Sequence, residues 1–353
     1  MAFGKKKGLV GLDIGSSAIK AVELKPGGKG GEYHLVNLGM EPLPPEAIVD
    51  GAIMDSGAVI DSIQRLFSAN KIKTTDVATS VSGNAVIVKK ISLPQMTPEE
   101  LAESIHWEAE QYIPFDIQDV ALDYEVVEGS GSGGNMDVLL VASKKDKIGD
   151  YTSAISQAGK TPTIVEVDVF ALQNCYEVNY GIDPGRVIAL LNVGASIMNI
   201  NIVKGSNSIF NRDIAVGGNQ YTDAIQKDLN LSFDQAEALK RGARVEGAAP
   251  ENLGPILRAV SDNITLEIQK TFDFFKATSS EDRIDRIFLA GGTSKVPGLR
   301  ELLADRFDAG VEILNPFNNV IYNPREFDPD FIAEIGPSAA VAVGLAVRRV
   351  GDR

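Results

Sequence analysis

Residues 11–17 (GLDIGSS) combine an acidic residue, a glycine and two serines at the point where an apolar run reverses. The surrounding residues 9–24 alternate in polarity and are rich in Val, Ile and Leu, which predicts two strands joined by a tight turn at Gly15. Gly15 permits a positive φ and leaves space beside the backbone. Successive N–H groups in such a turn form a concavity that binds anions. The segment therefore predicts a phosphate-binding hairpin, although an ordinary hairpin has the same pattern.

The side chains around this turn suit the phosphates and the metal of a nucleotide. The backbone N–H groups of Gly15, Ser16 and Ser17 can face a phosphate, and Lys20 on the returning strand can reach the same group. Asp13 would repel a phosphate, but its carboxylate can hold a hydrated Mg²⁺, which binds proteins through one or two carboxylates and keeps several waters. Asp13 is therefore a candidate metal-binding and catalytic residue.

A second copy of this pattern lies later in the chain. Residues 12–17 (LDIGSS) align with residues 191–196 (LNVGAS) at an offset of 192 − 13 = 179. The copy supplies Asn192, Gly194, Ala195 and Ser196, and two such hairpins, one in each domain, could hold a phosphate chain from both sides. Asn192 carries no charge, so it is a weaker partner for Mg²⁺ than a carboxylate and cannot accept a proton. We therefore expect nucleotide binding to persist and hydrolysis to be slow.

A third glycine segment, residues 289–298 (LAGGTSKVPG), follows a short apolar run that predicts a buried strand. Gly291 and Gly292 lack side chains, so a flat base could lie against the backbone there, next to Thr293.

A fourth segment, residues 236–241 (AEALKR), places Glu237 and Lys240 at i and i+3 of a predicted helix, on one side. The Glu237 carboxylate could accept hydrogen bonds from ribose hydroxyls, while Lys240 and Arg241 flank the base. A solvent-exposed helix with salt bridges explains the same spacing. The four segments together, in this order, point to a split nucleotide site.

Composition excludes several other classes of protein. The chain has 353 residues, 44% hydrophobic and 23% charged, which is typical of a soluble globular protein of two or more domains. A net charge of −14 argues against a nucleic-acid partner. One cysteine, Cys175, fits a reducing cytoplasm, and His34 and His106 are too few for a Cys/His metal site or a Ser-His-Asp triad. The basic residues 5–7 are either a solvated tail or a weak contact with anionic lipid.

Residues 92–163 read as a small α+β insert in the first domain. Thr97, Pro98 and Glu100 combine an N-cap, a proline at the first helical position and a capping box, which predicts a helix that Pro114 ends. Strands are predicted near 119–127 and 136–143, joined by a glycine-rich tip at 129–134, and a further helix near 146–158. Residues 338–349, rich in Ala and Gly, predict a final helix that packs closely.

At these residues the sequence resembles the superfamily of actin, sugar kinases and heat-shock chaperone ATPases, in the FtsA branch. It is most similar to the PilM family, the actin-like proteins of type IV pilus assembly. The similarity covers about 340 residues and is strongest in ISLP (91–94), in TPEELAESIHWEAEQYIPF (97–115), in LDY (122–124) and in AVGLA (342–346).

The resemblance implies an α/β fold of two ribonuclease-H-like domains, with ATP or ADP and Mg²⁺ in the cleft between them. It places the two phosphate loops, the ribose and adenine contacts and the adenosine loop at the four segments above. It also puts Asp168 where relatives hold the water-orienting residue, a second candidate catalytic group. The implied subdomains are 1A (1–91, 164–186 and 339–353), 1C (92–163), 2A (187–226 and 286–338) and 2B (227–285).

The family further implies a cytoplasmic protein at the inner face of the inner membrane. Its members bind the N-terminal cytoplasmic peptide of PilN, a membrane protein, in a groove between subdomains 1A and 1C, and other pilus platform proteins and motor ATPases are possible partners. The insert could instead serve only to stabilise the first domain.

Two other functions remain open at this point. An FtsA-like cell-division filament protein is expected to end in a linker and an amphipathic membrane helix, whereas this chain ends at Asp352-Arg353 after the predicted packing helix. A sugar kinase would need a catalytic Asp facing a sugar hydroxyl, for which no clear candidate is seen. We expect an ATP-binding scaffold with at most slow ATPase activity.

Overall fold

The structure is a computed structural model, and it describes residues 8–28, 31–127, 134–246 and 250–352. The basic residues 5–7 and all but the last residue of the predicted tip at 129–134 lie outside these ranges. The helices are α1 (Ser56–Ala69), α2 (Pro98–Glu110), α3 (Lys145–Gln157), α4 (Asp168–Tyr180), α5 (Asn219–Leu229), α6 (Phe233–Lys240), α7 (Pro250–Thr278), α8 (Leu299–Arg306), α9 (Pro329–Ile335) and α10 (Ala340–Ala346). The strands are β1 (Val10–Ile14), β2 (Ala18–Pro26), β3 (Tyr33–Pro42), β4 (Ile48–Val49), β5 (Ala52–Ile53), β6 (Asp76–Val81), β7 (Val86–Pro94), β8 (Val120–Val127), β9 (Asn135–Lys144), β10 (Thr161–Val167), β11 (Val187–Val193), β12 (Met198–Lys204), β13 (Asn207–Ile214), β14 (Arg286–Ala290), β15 (Gly310–Ile313) and β16 (Val320–Ile321).

The two large sheets share one plan, in which three antiparallel strands are followed by two parallel ones. In the first sheet the order is β3, β2, β1, β6 and β10, with β16 added beside β3. In the second the order is β13, β12, β11, β14 and β15. The predicted duplication of one hairpin is therefore part of a duplication of a whole sheet.

One buried cluster connects the two sheets. It contains Leu172 and Cys175 of α4 and Val343 of α10, together with Leu190 and Phe288 of the second sheet. Burial of such side chains removes roughly 25 cal/mol of unfavourable hydration per Å² of apolar surface, so this cluster holds the two halves against the same pair of helices.

The small residues of the C-terminal helix are needed for close packing, as predicted. A Cβ atom on Gly344 of α10 would lie 1.6 Å from the carbonyl oxygen of Ala171 in α4. A Cβ atom on Gly11 of β1 would lie 2.0 Å from the carbonyl oxygen of Ala342. The backbones of β1, α4 and α10 therefore meet at distances that no larger residue permits, and this contact fixes the strand that carries Asp13.

The insert is a separate layer with its own core. Strands β7, β9 and β8 form an antiparallel sheet against α2, around Ile91, Leu101, Ile105, Val138 and Leu140. The predicted capping box at the start of α2 is present: Glu100 N donates to Thr97 Oγ1 at 3.2 Å, and Thr97 N donates to Glu100 Oε2 at 2.8 Å.

The layer that the insert forms has other limits than the predicted range 92–163, at both ends. Strand β7 already begins at Val86, and α3 contributes Tyr151, Ala154 and Ile155 to the core of the first sheet. The apolar face of α3 matches that core, where it packs with Val59 of α1. The layer with its own core thus runs from about Val86 to Lys144.

Candidate functional site

The first hairpin, between β1 and β2, is closed by a hydrogen bond from Gly15 N to Ala18 O at 3.2 Å. Asp13 and Lys20 are opposite each other in the strand register, and Lys20 Nζ lies 3.1 Å from Asp13 Oδ2. Both side chains are largely shielded, at 14% and 13% exposure. A Cβ atom on Gly15 would lie 2.8 Å from Lys20 Nζ, so the missing side chain leaves the lysine its place beside the turn.

The second hairpin, between β11 and β12, has the same backbone and different chemistry. Gly194 N donates to Ile197 O at 2.9 Å, the equivalent of the first closing bond. Asn192 lies opposite Asn199 in the register, and Asn192 Nδ2 donates to Asn199 Oδ1 at 2.9 Å. A neutral pair of amides therefore stands where the first hairpin has an ion pair.

The tips of the two hairpins meet. The hydroxyl oxygens of Ser16 and Ser196 lie 2.8 Å apart, a hydrogen-bonding distance, although the residues are 180 positions apart in sequence. The structure thus brings together the two segments that the sequence predicts as phosphate loops. Their backbone turns, which include Ser17 and Ala195, are therefore adjacent.

The third segment lies directly behind the second hairpin. Gly291 follows β14 with a φ of 85°, and a Cβ atom there would lie 2.2 Å from the carbonyl oxygen of Val193. Thr293 Oγ1 donates to Gly194 O at 2.8 Å. Gly291 is therefore required by backbone shape and by close approach, and the segment that includes Gly292 is fastened to the second hairpin.

The Glu237 carboxylate in α6 collects hydrogen bonds from Lys240 and from the hydroxyl of Thr222. Arg241 Nη2 lies 3.2 Å from its other oxygen. Burial acts to raise the pKa of Glu237, but the Lys240 charge and hydrogen bonds from Lys240 and Thr222, with the Arg241 charge, lower it overall. Lys240 Nζ also donates to Gly218 O at 3.1 Å. The pair is thus partly buried and turned toward the second hairpin, unlike an exposed helix salt bridge.

A short chain of contacts joins these segments. Gly218 N donates to Gly194 O at 2.9 Å, and Asn219 N donates to Ala195 O at 2.8 Å. A Cβ atom on Gly217 would lie 2.5 Å from Gly194 O. Residues 217–219 at the start of α5 therefore connect the Glu237–Lys240 pair to the second hairpin.

Asp168, the first residue of α4, lies within the electrostatic influence of Asp13 and Asp213. Burial and then the negative charge of Asp13 raise the pKa of Asp168 to about 6, against hydrogen bonds with Ser80 and Ser82. Burial lowers the pKa of the nearby Lys147, and the charges of Asp168 and Asp213 act in the opposite direction. Asp168 therefore lies close enough to the first hairpin to sense its charge.

Several residues of the site are absent from the sequence-based prediction. Asn199 could have been found by applying the duplication offset to Lys20, since 20 + 179 = 199. The pair Gly217-Gly218 after a strand repeats the pattern of Gly291-Gly292 and was an available signal. Asp213 gives no such signal, because its partners come from other strands and from the first domain.

The donor set fits a nucleotide with a hydrated divalent cation. A carboxylate and an ammonium group lie beside the first of two adjacent glycine turns, and the position of Gly15 lacks the Cβ atom that would crowd Lys20. Among the described helices, none combines the length and the apolar character that a membrane crossing requires.

Comparison with known proteins gives matches over nearly the whole chain. Residues 11–350 match the profile of the family described as type IV pilus assembly protein PilM. A structure of a PilM–PilN type IV pilus biogenesis complex contains a chain that is 30% identical, with a TM-score of 0.87, covering 99% of this chain and 100% of that chain.

More distant structures have the same fold. The ethanolamine utilization protein EutJ from Carboxydothermus hydrogenoformans is 12% identical, with a TM-score of 0.58 over 97% of this chain and 90% of its own. MreB5 of Spiroplasma citri bound to AMPPNP is 14% identical, with a TM-score of 0.54 over 96% of this chain and 95% of its own. The chain therefore has the predicted actin-like fold of two related α/β halves, and the FtsA-like alternative is not favoured.

Proposed function

This chain belongs to the PilM family of type IV pilus assembly proteins, and we propose from that premise that it is an actin-like, nucleotide-binding scaffold. In this role it joins the inner-membrane assembly platform by binding the N-terminal cytoplasmic peptide of a PilN-like protein. The observation that carries the proposal is the similarity, end to end, to the PilM chain of a PilM–PilN complex.

The proposed ligand of the cleft is ATP or ADP with Mg²⁺. The N–H groups of Gly15 and Gly194 close the two hairpins and, contrary to the sequence-based expectation for Gly15, are not free for a phosphate. The phosphates would be held by the other N–H groups of the two turns and by Lys20, while Asp13 would face the hydrated cation, which meets proteins through one or two carboxylates. The nucleoside would lie near α6 and the third segment. The proposed contacts are Gly15, Ser16, Ser17, Lys20, Gly194, Ala195 and Ser196 for phosphate, Asp13 and Asn192 for the cation, and Glu237, Lys240, Arg241, Gly291, Gly292 and Thr293 for the nucleoside.

The ionised state of Glu237 supports its proposed part in this site. An ionised carboxylate only accepts hydrogen bonds, so it can receive ribose hydroxyls in place of the Thr222 hydroxyl that it now holds. Lys240 balances the charge of the carboxylate in an ion pair and also donates to Thr222 Oγ1 at 2.8 Å. Thr222, Glu237 and Lys240 are already connected by hydrogen bonds, so a bound ribose would only replace the Thr222 hydroxyl as a donor to Glu237.

Turnover is proposed to be slow. Asn192 cannot accept a proton, which leaves Asp168, whose pKa burial and Asp13 raise to about 6, as the remaining candidate base. A positioned general base accelerates proton transfer by roughly 10²–10⁴-fold, so an amide in place of an acid at position 192 is expected to slow hydrolysis more than binding. The scaffold role follows from binding without fast release of product.

The partner peptide is proposed to bind beside the insert, in the groove between the 1A and 1C subdomains. An extended or turn-like peptide would contribute a few apolar anchors, with main-chain hydrogen bonds that fix its register. The insert suits this role because its core is complete without the rest of the chain. Peptide binding would bring the protein to the inner face of the inner membrane, and the subdomain limits follow the predicted ones with the insert moved to 86–144.

Removal of the insert tests the partner proposal. Lys144 N donates to Ala85 O at 3.0 Å, so the two ends of the insert are adjacent, and residues 86–143 can be replaced by an Asn-Gly turn. This deletion keeps α3, which the first core requires. We expect a folded protein that binds ATP and does not bind a peptide from the cytoplasmic tail of a PilN-like protein in calorimetry.

Two outcomes separate the alternatives. A folded deletion variant that keeps full affinity for the peptide would show that the insert only stabilises the first domain. ATP turnover that rises when sugars are added would favour the kinase alternative over the scaffold.

A further inference from the structure

Three polar side chains lie side by side across the second sheet. Asn192 on β11 is in register with Asn199 on β12, which is in register with Asp213 on β13. Asn192 Nδ2 donates to Asn199 Oδ1 at 2.9 Å, and Asn199 Nδ2 donates to Asp213 Oδ1 at 2.8 Å. The row ends at Asn192, the residue that stands where the first hairpin has Asp13.

The row has a direction that is set by Asp213. An ionised carboxylate only accepts hydrogen bonds, so Asn199 must turn its NH₂ group toward Asp213 and its oxygen toward Asn192. Asn192 must then give its own NH₂ group to Asn199. Its oxygen, Oδ1, is the atom that remains for a ligand, and the described residues provide no hydrogen bond to it.

The same carboxylate reaches across to the first domain. Gly83 N, just beyond β6, donates to Asp213 Oδ2 at 2.6 Å. Burial raises the pKa of Asp213, against hydrogen bonds from Asn199 and Gly83 N and the charge of Lys147. Both oxygens are thus committed to fixed donors, and the orientation of the row depends on the contact between the two domains.

We infer that Asp213 is a positioning residue that acts through Asn199 and presents the Asn192 carbonyl oxygen to the hydrated divalent cation of a bound nucleotide. The inference rests on the proposed nucleotide function. An amide oxygen accepts hydrogen bonds from the waters of a cation and can also bind the ion, whereas an NH₂ group in the same place would repel both. The uncharged second hairpin therefore contributes to cation binding because its amide is held in one of two orientations.

An isosteric substitution that removes the charge of Asp213 inverts the row. In Asp213→Asn the new side-chain oxygen still accepts from Gly83 N, so its NH₂ group faces Asn199. Asn199 then turns its oxygen toward position 213, and Asn192 turns its NH₂ group toward the cleft. Removal of a partner that orients a metal ligand typically costs 10–100-fold in metal affinity. We therefore expect the ratio of ATP affinity with Mg²⁺ to ATP affinity in chelator to fall about tenfold in this variant.

A double substitution restores the original direction. In Asn199→Asp with Asp213→Asn, the carboxylate at 199 accepts from both neighbours, the amide at 213 still accepts from Gly83 N, and Asn192 again presents its oxygen. The matched control is Asp285→Asn, because Asp285 Oδ2 also accepts a backbone hydrogen bond, from Val187 N at 2.8 Å, at the far end of β11.

The experiment is calorimetry of ATP binding with Mg²⁺ and with a chelator, for these variants and the unmodified protein. The inference expects a loss of the Mg²⁺ effect in Asp213→Asn, recovery in the double variant, and no change in Asp285→Asn, with equal affinities in chelator. An unchanged Mg²⁺ effect in Asp213→Asn overturns the inference, and so does a double variant that fails to recover.

Spectra of the nucleotide-free protein separate this inference from the proposed function. The side-chain NH₂ signals of Asn192 should exchange slowly with solvent in the unmodified protein and the double variant, and quickly in Asp213→Asn. If these signals behave as expected but ATP does not bind to the unmodified protein, the nucleotide function is wrong and the cation-facing role is lost with it. If the exchange rates do not differ, the row does not set the orientation.

Discussion

The two hairpins at the cleft share a backbone and differ in charge. Gly15 N and Gly194 N make equivalent closing hydrogen bonds, at 3.2 and 2.9 Å, and the paired residues follow the same offset of 179 positions. The first hairpin pairs Asp13 with Lys20, and the second pairs Asn192 with Asn199. The two copies have thus kept the same hairpin backbone, and of the two cross-strand pairs only that of the first hairpin is charged.

The difference indicates how the site divides its work. The first hairpin carries both signs of charge in a shielded place, so it can bind a cation and an anion at neighbouring points. The second hairpin depends on backbone N–H groups and on the orientation of one amide. Under the proposed function, a protein with this division would bind nucleotide more readily than it would hydrolyse it, as a scaffold requires.

The largest predicted effect on stability comes from a substitution in β1, at a position where β1 and β11 carry different residues. Gly11 of β1 corresponds to Leu190 of β11, since 11 + 179 = 190, and a Cβ atom on Gly11 would lie 2.0 Å from Ala342 O and 2.6 Å from Ala346 N. Gly11→Ala should lower the free energy of unfolding by about 4 kcal/mol or prevent folding, because backbone atoms of α10 cannot move aside. Chemical denaturation followed by circular dichroism measures this.

The matched control for this prediction is Gly149→Ala in α3. A Cβ atom there meets no heavy atom within 4 Å, so the substitution should stabilise the protein by about 0.5–1 kcal/mol through helix propensity. Equal losses for the two substitutions would contradict the packing account of β1 and α10.

A smaller effect is expected at the hairpin glycines, and it should differ between the two. A Cβ atom on Gly194 would lie 2.8 Å from the backbone oxygen of Ile197, whereas one on Gly15 would lie 2.8 Å from the mobile Nζ atom of Lys20 and 3.2 Å from Ala18 O. Gly194→Ala should therefore cost about 2 kcal/mol of stability, and Gly15→Ala about 1 kcal/mol.

The same two substitutions should affect ATP binding in the opposite order, with the larger loss of affinity in Gly15→Ala. Gly15→Ala displaces Lys20 and should weaken ATP binding more than its small stability loss suggests, as calorimetry on the folded protein can measure. If Gly15→Ala were the more destabilising of the two and left ATP affinity unchanged, the assignment of Lys20 to the phosphates would fail.

The smallest effect concerns turnover. We expect the isolated protein to hydrolyse ATP far below the median enzyme rate of about 10 s⁻¹. Asn192→Asp supplies a group that can accept a proton, so turnover should rise several-fold, limited by repulsion between the new carboxylate and Asn199 Oδ1, which faces this position. A colorimetric phosphate assay measures the rate, and an unchanged rate would show that position 192 is not limiting.

Local sequence signals predicted much of this molecule. The capping box of Thr97 and Glu100 fixed the start of α2, and the alternating apolar residues around Gly15 and Gly194 identified both hairpins. These features depend on neighbouring residues, so one sequence contains the information. The ligand roles of the named residues stay predictions.

Features that depend on distant contacts were not predicted. Asp213 gains its position from Gly83, which is 130 residues away, and no local pattern marks it. The helix α3 packs in the core of the first sheet through Tyr151 and Ile155. Its position in the chain had instead predicted that it belongs to the insert. Asn199 could have been predicted from the sequence, because the offset of 179 positions that aligns Asn192 with Asp13 also aligns Asn199 with Lys20.

The most direct test of the central claim is ATP affinity measured by calorimetry with Mg²⁺ and with a chelator, in the unmodified protein and in Asp13→Ala. The charged first hairpin predicts that Mg²⁺ strengthens binding by at least about tenfold, or about 1.4 kcal/mol, and that Asp13→Ala removes this gain while the affinity in chelator is kept. Equal affinity with Mg²⁺ and with chelator in the unmodified protein, or a full Mg²⁺ effect in Asp13→Ala, would contradict the account.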